Sequence, residues 1–488
     1  MQIIVNNHKS QLICGAKDLD AIRKLMRIRA KNAWYSPAYR NNSWDGYINY
    51  ISDRTGIFDT GLLDKVVKHI NKDLVKDVKI IDRREKFKDL HEVNEVGGKV
   101  LRPDQKAAIH AFLNHKIAGI KFPRGIMYEA TNYGKTVLTA GIVESFSEKR
   151  TGVYLINNKT IYNQAVEDFK ELLGKDQVGW IRSGSVKLAR FNICMVQTLG
   201  NLIARDPKIR TFLSKVDIFI IDEYDEVIGF KSTKKTLELA YNAPIRLGLT
   251  GTALMSKDKN KNQEQLKFTG PVIHKTTNKE LVDLGVSAKP TIKFFMGNKR
   301  LIEDLSYQQE YDKCVIRSIS RNKKIWKLVG KAAKKGQVLV LFKYHKHLKY
   351  LLKHLPVKLK DKYRIGIAHG KLKNRESTIK KFNDGKYEIL ICSMIIRRGK
   401  NIPGIRVLIN IAGGDSEAGV LQIFGRSLRK SKTKTKVDMW EMYDRGKYLE
   451  KHSKHRVRYY KNQKFPVNEL YKRALLNQII INGKKSKR

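Results

Sequence analysis

Three short stretches carry residues whose types and spacing suit phosphate chemistry. The stretch Glu129-Ala-Thr-Asn-Tyr-Gly-Lys-Thr136 ends in Gly134, Lys135 and Thr136. Such an ending can hold a polyphosphate: backbone N–H groups face the anion, the lysine reaches the β- and γ-phosphates, and the hydroxyl ligates Mg²⁺. The usual loop pattern opens on Gly, and here Glu129 stands in that place. The run Val216-Asp-Ile-Phe-Ile-Ile-Asp222-Glu223 is apolar up to two adjacent carboxylates. Asp222 could hold the Mg²⁺ and Glu223 could polarise an attacking water as general base. An acidic pair after an apolar run is, taken alone, more often a solvated turn. The third stretch is Gln422-Ile-Phe-Gly425-Arg426-Ser-Leu-Arg429. Gln422, Arg426 and Arg429 would share one face of a helix, and arginine can supply positive charge to a transferring phosphoryl group. Gly425 would permit close approach. The plainer reading of such a helix is a solvated basic face.

These residues need elements to hold them. The apolar run Gly125–Tyr128 leads straight into the Gly-Lys-Thr loop, and a helix pattern over Val137–Phe146 follows it. Further buried-strand patterns lie at Val153–Ile156, Phe191–Val196, Val216–Ile221 and Ile245–Leu249. Helix-length stretches separate most of them, which predicts a parallel sheet in an α/β domain. The pattern then begins again, at Gln337–Phe342, Tyr363–Ile367, Tyr387–Cys392, Ile405–Ile411 and Val437–Tyr443. The expected fold is therefore α/β with two tandem domains, joined near Gly285–Pro290, after a small N-terminal α+β domain. The expected boundaries are 1–95 for an N-terminal accessory domain, 96–286 and 287–448 for the two α/β domains, and 449–488 for a basic C-terminal extension.

Composition narrows the partners. The chain has 488 residues, 98 of them Lys or Arg and 47 Asp or Glu, for a net charge of +51. A field of that sign attracts polyanions, and nucleic acid is the partner it favours over biased Lys usage alone. No run approaches the ~18 uninterrupted apolar residues of a membrane span, and the N-terminus lacks a signal layout. The expectation is a soluble cytoplasmic protein, in the host cytoplasm if the chain is viral, with no membrane partner. Cys14, Cys194, Cys314 and Cys392 form no C-x-x-C pair and read as reduced thiols. Between Trp34 and Leu63, Trp34, Tyr35, Tyr39, Trp44, Tyr47, Tyr50 and Phe58 interleave with Arg40 and Arg54. Such aromatics can stack bases. For most of them the core of a small domain is the expected place.

In this order, the three stretches resemble the motifs of superfamily-2 helicases and translocases, in which two RecA-like domains clamp ATP. The likeness runs through most of residues 100 to 445. Leu101–Gln105 looks like the adenine-reading segment, which implies nucleotide contacts from Arg102 and Gln105. The loop looks like motif I, implying Thr131, Asn132, Gly134, Lys135 and Thr136 around ATP and Mg²⁺. Leu155–Gln164, with Asn158, resembles motif Ia, and Met195–Thr198, with Gln197 and Thr198, resembles motif Ib, both of which grip nucleic acid. Asp222–Asp225 resembles motif II, and Leu249–Thr252 resembles motif III, which links hydrolysis to strand movement. Val338–Phe342 with His345 looks like motif IV, and His369, Gly370 and Arg375 follow it as the family's do. With Ser393, His345 and Arg375 are the implied strand-gripping residues of the second domain. Arg397–Pro403, with Gly399, resembles motif V, and Gln422–Arg429 resembles motif VI, with Gln422, Arg426 and Arg429 acting on the phosphates. Asn132 stands where Gly is usual, Asp225 where many relatives have His, and Asn401 where Asp is common.

Within the superfamily the chain is most similar to the UvsW-type branch-migration helicases of bacteriophages. Trp44-Asp45-Gly46 with Phe58–Leu63, Glu280–Val286, and Gly425–Lys430 followed by Asp438 and Tyr443-Asp444 carry that likeness, which implies that the accessory domain 1–95 is DNA-binding. It implies a monomeric ATP-dependent motor on forked or junction DNA in replication, recombination or repair, beside other proteins of those processes. Two other active classes share the engine: an RNA helicase or annealing factor, and the motor subunit of a restriction or nuclease system. A binder with a decayed ATP site is disfavoured because Lys135, Asp222, Glu223, Gln422, Arg426 and Arg429 are all present.

Overall fold

The computed structural model describes residues 1–85, 90–182, 184–298, 304–394, 402–431 and 434–474. The chain forms two compact units, one of Met1–Glu129 with Gly134–Thr276 and one of Ala130–Tyr133 with Thr277–Arg488.

The first unit is built on an eight-stranded sheet. Its order is Ser185–Lys187, Val178–Arg182, Phe191–Met195, Gly152–Ile156, Ile218–Asp222, Ile245–Thr250, Arg124–Glu129, Val272–Thr276. All pairs are parallel except the hairpin of Val178–Arg182 with Ser185–Lys187. Gly152–Ile156 and Phe191–Met195 are buried along their whole length. That explains their unbroken apolar runs: helices cover both faces, so neither face needs polar residues. The order sets Ile245–Thr250 between the strand that feeds the Gly-Lys-Thr loop and the strand that ends in Asp222.

The N-terminal segment contributes a four-stranded sheet in the order Ile57–Asp59, Lys9–Ile13, Gln2–Val5, Lys79–Asp82. Helices Ala16–Met26 and Leu63–Asp73 turn Ile22, Met26, Leu63, Val66, Val67 and Ile70 into its core, at the spacing of one helix face. Two features seat it on the large sheet. A Cβ on Gly61 would lie 2.3 Å from the Leu266 carbonyl, so only glycine lets the backbone approach helix Lys259–Phe268 this closely. The buried Arg124 guanidinium donates to the carbonyls of Asn7, Phe268 and Thr269, at 2.6–2.9 Å. Burial and the nearby Arg246 hold its pKa well below the usual arginine range. Three carbonyls are the compensation an otherwise costly buried cation requires.

The second unit has a seven-stranded, wholly parallel sheet. Its order is Ile365–Ala368, Ile389–Ser393, Val338–Phe342, Val407–Asn410, Lys436–Tyr443, Lys289–Met296, Val467–Asn468. Helix Leu449–Asn462 is basic in sequence, yet it buries Arg456, Val457, Tyr459 and Tyr460 against this sheet. The five strand patterns read from the sequence in each half are all present. The sheets also take in Val178–Arg182, Ser185–Lys187, Val272–Thr276, Lys289–Met296 and Val467–Asn468.

The N-terminal aromatics divide. Tyr50 and Phe58 are core, Tyr39, Trp44 and Tyr47 are half-buried, and Trp34 and Tyr35 lie in the open.

Candidate functional site

Strand Arg124–Glu129 ends in the loop, and helix Lys135–Glu144 begins at Lys135. The loop turns tightly because two residues take left-handed backbone, Asn132 with φ 78° and Gly134 with φ 90°. Asn is among the few non-glycine residues that visit this region routinely. Gly134 is also constrained by space: a Cβ would lie 2.9 Å from Gln105 Nε2 and 3.6 Å from Arg102 Nη1. The structure thus brings Arg102, Gln105 and Gly134 together. Gln105 is buried and accepts from the Arg102 backbone N–H at 3.1 Å, while Asp104 holds the Arg102 guanidinium at 2.8 Å. Lys135 and Thr136 occupy the first turn of the helix and are half-buried. Glu129 is fully buried at the strand's end, paired with His274 Nδ1 at 2.7 Å. It is part of the strand and takes no place in the phosphate loop.

Asp222 ends strand Ile218–Asp222, one strand removed from the loop. Its pKa is raised by burial and by the charge of Glu223, while Lys135 and the Tyr154 hydroxyl pull it back. Lys135 and Asp222 are therefore close enough to feel one another. Tyr154 was not singled out in the sequence; its one signal is a hydroxyl inside the otherwise apolar Val153–Ile156. Burial and the Asp222 charge push that hydroxyl well above the usual tyrosine range. Glu223 sits at φ 46°, a left-handed conformation that disfavours most side chains. The carboxylate of Asp225 accepts from both Thr250 and Thr252, the latter at 2.7 Å. Its pKa is raised by burial despite these bonds. Asp225, at the position where many relatives have His, thus joins the acidic stretch to Thr250 and Thr252 at the end of the intervening strand. The Tyr224 ring explains Gly248 beneath it: a Cβ there would lie 2.3 Å from Tyr224 Cδ1.

Asn158 follows strand Gly152–Ile156 and opens a helix, its carbonyl accepting from Ile161 and Tyr162. Gln197 and Thr198 lie in the first turn of helix Val196–Arg205, after the neighbouring strand Phe191–Met195. The three therefore stand at the carboxyl ends of paired strands, where open α/β sheets bind their ligands. Gln197 is exposed.

The second unit repeats this arrangement. His345 follows Val338–Phe342, Arg375 opens the helix after Ile365–Ala368, and Ser393 ends Ile389–Ser393. These strands are sheet neighbours. The rings of His345 and His369 meet edge to face at 4.3 Å, and Arg375 donates to the Gly370 carbonyl at 3.1 Å. Among the described residues, the Ser393 hydroxyl and His369 Nδ1 are buried without a hydrogen-bond partner. Gly399 lies outside the described residues, as does Arg397–Asn401 with it.

Gln422 and Arg426 lie on helix Glu417–Ser427, but Arg429 does not. The helix stops at Ser427 because the chain turns off to pair Ser287 with Arg429, the Ala288 N–H donating to the Leu428 carbonyl. The expectation of one shared helix face is corrected accordingly. Burial and the adjacent Arg426 lower the Arg429 pKa. Within the same unit Arg429 Nε donates to Asn132 Oδ1, and Asn132 Nδ2 donates to the Gly425 carbonyl, each at 2.9 Å. Gly425 leaves room for little else: a Cβ there would lie 2.7 Å from Thr131 Cβ.

A phosphate-type loop, an acid-tipped strand one strand away from it and two RecA-like sheets define an ATP-hydrolysing motor. Two family models agree: residues 98–254 match "Type III restriction enzyme, res subunit" and residues 320–431 match "Helicase conserved C-terminal domain". The chain belongs to the superfamily-2 helicases and is an ATP-hydrolysing helicase. Among curated relatives, it is 23% identical over 495 residues to the ATP-dependent DNA helicase uvsW of Enterobacteria phage T4, covering 93% of this chain and 95% of that one. It is 24% identical over 258 residues to the ATP-dependent RNA helicase DBP3 of Candida glabrata, covering 51% and 43%. Among solved structures, S. cerevisiae Dbp5 bound to RNA and ADP BeF3 matches with a TM-score of 0.51 at 16% identity, over 76% of this chain and 93% of that one. Among the described residues, no helix is long and apolar enough to cross a membrane.

Proposed function

We propose that this chain is an ATP-driven DNA helicase or translocase that unwinds or branch-migrates forked and junction DNA in replication, recombination or repair. The observation that carries the choice of DNA is the likeness to the phage T4 DNA helicase, which spans 93% of this chain and 95% of that one. The net charge of +51 supports a nucleic-acid partner.

The residues present fit ATP with Mg²⁺. The space at Gly134 is one a Cβ would fill, and Asp222 carries a burial-raised carboxyl next to a second acid, which a divalent cation would relieve. Bound Mg²⁺ would neutralise charge on the phosphates. In this reading Thr136 and Asp222 would hold the metal, and Lys135 would hold the phosphates. Glu223 takes the proton of the attacking water, and Arg102 and Gln105 hold the base. Gln422, Arg426 and Arg429 supply polar and cationic groups to the phosphoryl being transferred. Asn158, Gln197, Thr198, His345, Arg375 and Ser393 grip the strand backbone. Asp225, tied to Thr250 and Thr252, would carry the change at the acid pair into the neighbouring strand.

The test is ATP turnover by the whole chain with forked DNA, a four-way junction, blunt duplex and structured RNA, with Lys135→Ala as background. Stimulation is expected from the branched DNAs first. Stimulation by RNA alone would favour the reading that the Candida glabrata relative suggests. Absence of any stimulation above the Lys135→Ala background would sink both.

A further inference from the structure

Trp34 and Tyr35 sit on a 3₁₀ turn, Ala33–Tyr35, and are 52% and 67% exposed. Two large aromatics in the open, with ring centroids 5.8 Å apart and planes tilted by 49°, are not core residues of the small domain. The turn that bears them is held from below. Ala33 is buried beneath it, and the Ala30 N–H donates to the Gly46 carbonyl at 2.8 Å. Gly46, with φ 79°, lies so close that a Cβ would meet the Tyr39 ring at 3.0 Å and Ala33 Cβ at 3.2 Å. Arg40 Nε donates to the Trp34 carbonyl at 3.1 Å, and Arg29 Nη2 to the Tyr39 hydroxyl at 3.0 Å. Tyr39 is spent on this support, as are Trp44 and Tyr47, the Trp44 indole N–H donating to the Tyr47 carbonyl at 2.8 Å; Trp34 and Tyr35 are what it presents.

The surroundings are basic. Arg29, Lys31 and Arg40 are exposed, and among the described residues none of them makes an ion pair, while nearby Asp45 is taken by Arg27 at 3.2 Å. The turn is also fixed to helix Lys259–Phe268 of the same unit. Asn260 Nδ2 donates to the Arg29 carbonyl at 3.0 Å, and the Tyr50 hydroxyl donates to Asn260 Oδ1 at 3.2 Å. Asn260 belongs to helix Lys259–Phe268, which is bonded back to Leu254, two residues beyond Thr252, through Gln265 Oε1 at 3.2 Å.

We propose that Trp34 and Tyr35 are a base-stacking platform for an unpaired DNA strand, with Arg29, Lys31 and Arg40 meeting its phosphates. Exposed π-faces with exposed cations close by in the chain complement the two faces of a single strand, its bases and its backbone; an apolar protein partner would leave the cations unmatched. The proposal rests on the nucleic-acid reading above and goes beyond it by naming the element and the part of the DNA it takes.

The test is binding by the full chain at fixed salt, read as fluorescence anisotropy of labelled DNA. The ligands are a fork with unpaired arms, a blunt duplex of equal length and single-stranded RNA. Trp34→Ala with Tyr35→Ala is expected to weaken fork binding by roughly five- to a hundredfold and to leave the duplex unchanged. Trp34→Phe with Tyr35→Phe is expected to restore the fork to near wild-type affinity. Independently of folding in the alanine variant, the difference in tryptophan emission between wild type and Trp34→Phe is expected to be quenched by the fork. Unchanged fork affinity, equal losses on fork and duplex, a loss confined to RNA, or no quenching would each overturn the platform. A wild-type chain that binds no nucleic acid would instead overturn the proposed function.

Discussion

Each unit sets a carboxylate into its large sheet, Glu441 fully buried and Asp222 half-buried at its strand's end, and the two are treated in opposite ways. Glu441 lies within strand Lys436–Tyr443 and is fully partnered. It accepts from Arg456 Nε and Asn410 Nδ2 at 3.0 Å and from the Tyr460 hydroxyl at 2.8 Å. Asp222 ends its strand beside a second carboxylate whose backbone is left-handed, and its compensation comes from Lys135 first, then the Glu223 backbone N–H and the Tyr154 hydroxyl. Both carboxyls are raised by burial. The difference lies in what offsets it. Around Glu441, fixed groups fill every direction and leave nothing for a ligand to do. Around Asp222, Lys135 offsets only part of the burial and of the Glu223 charge, so the carboxyl stays raised and a further cation would be stabilised there. A buried acid in the first condition specifies structure, and in the second it is poised for chemistry.

The largest break in this comparison comes from removing charge at each centre. Lys135→Ala and Asp222→Asn are expected to lower ATP turnover by about a hundredfold or more, the scale of losing one preorganised electrostatic group. Asp222→Asn should leave thermal unfolding unchanged or raise it, because it removes a like-charge contact. Arg456→Ala should do the reverse. It strands Glu441 in the core, which costs about 3–5 kcal/mol in urea unfolding, and Glu441→Gln should cost less. If Arg456→Ala left stability intact and stopped turnover, the division between structural and chemical acids would be wrong.

That division was only half legible in the sequence. Asp222 and Glu223 announced themselves because an apolar run ended in them, and Lys135 because Gly-Lys-Thr stood between a strand and a helix pattern. The core strands of both sheets were legible for the same reason: a strand covered on both faces must be apolar throughout. Glu441 was illegible as a buried acid, since its partners Asn410, Arg456 and Tyr460 are scattered along the chain and only the fold gathers them. Leu449–Asn462 read as part of a basic extension because local charge cannot show which of its residues face inward. Asp225 was visible, but its bonds to Thr250 and Thr252 depend on sheet order, which sequence does not encode locally. Local periodicity alone carries the helix through Arg429; pairing with Ser287 outweighs it and ends the helix at Ser427.

A smaller test uses protons. His347 is fully buried in the second unit, with Nε2 3.2 Å from Asn322 Oδ1, and burial with Arg321 nearby lowers its pKa to about 3. His8 in the first unit is lowered to about 4, by burial first and then Arg246. A folded-state pKa below the unfolded value means that the unfolded chain takes up the proton first. The contribution is therefore complete above pH ~6.5 and is lost as pH falls toward these lowered values. Urea midpoints measured from pH 7 to pH 4 should decline, and His347→Gln should flatten that decline while lowering stability at pH 7. A variant with the wild-type slope would show that His347 does not titrate as its surroundings dictate.

The finest distinction concerns the backbone at Glu223. A non-glycine residue at φ 46° costs roughly 1–2 kcal/mol, and Asn lowers that cost through its short polar side chain. If strain at this position is retained for chemistry, Glu223→Asn relieves part of it. Urea unfolding of the first unit should then shift upward by up to about 1 kcal/mol, with turnover lost through the missing base. A fall in stability on Glu223→Asn would mean that the carboxylate itself holds the turn. The acid pair would then belong with Glu441, as a structural device whose proximity to Lys135 is incidental.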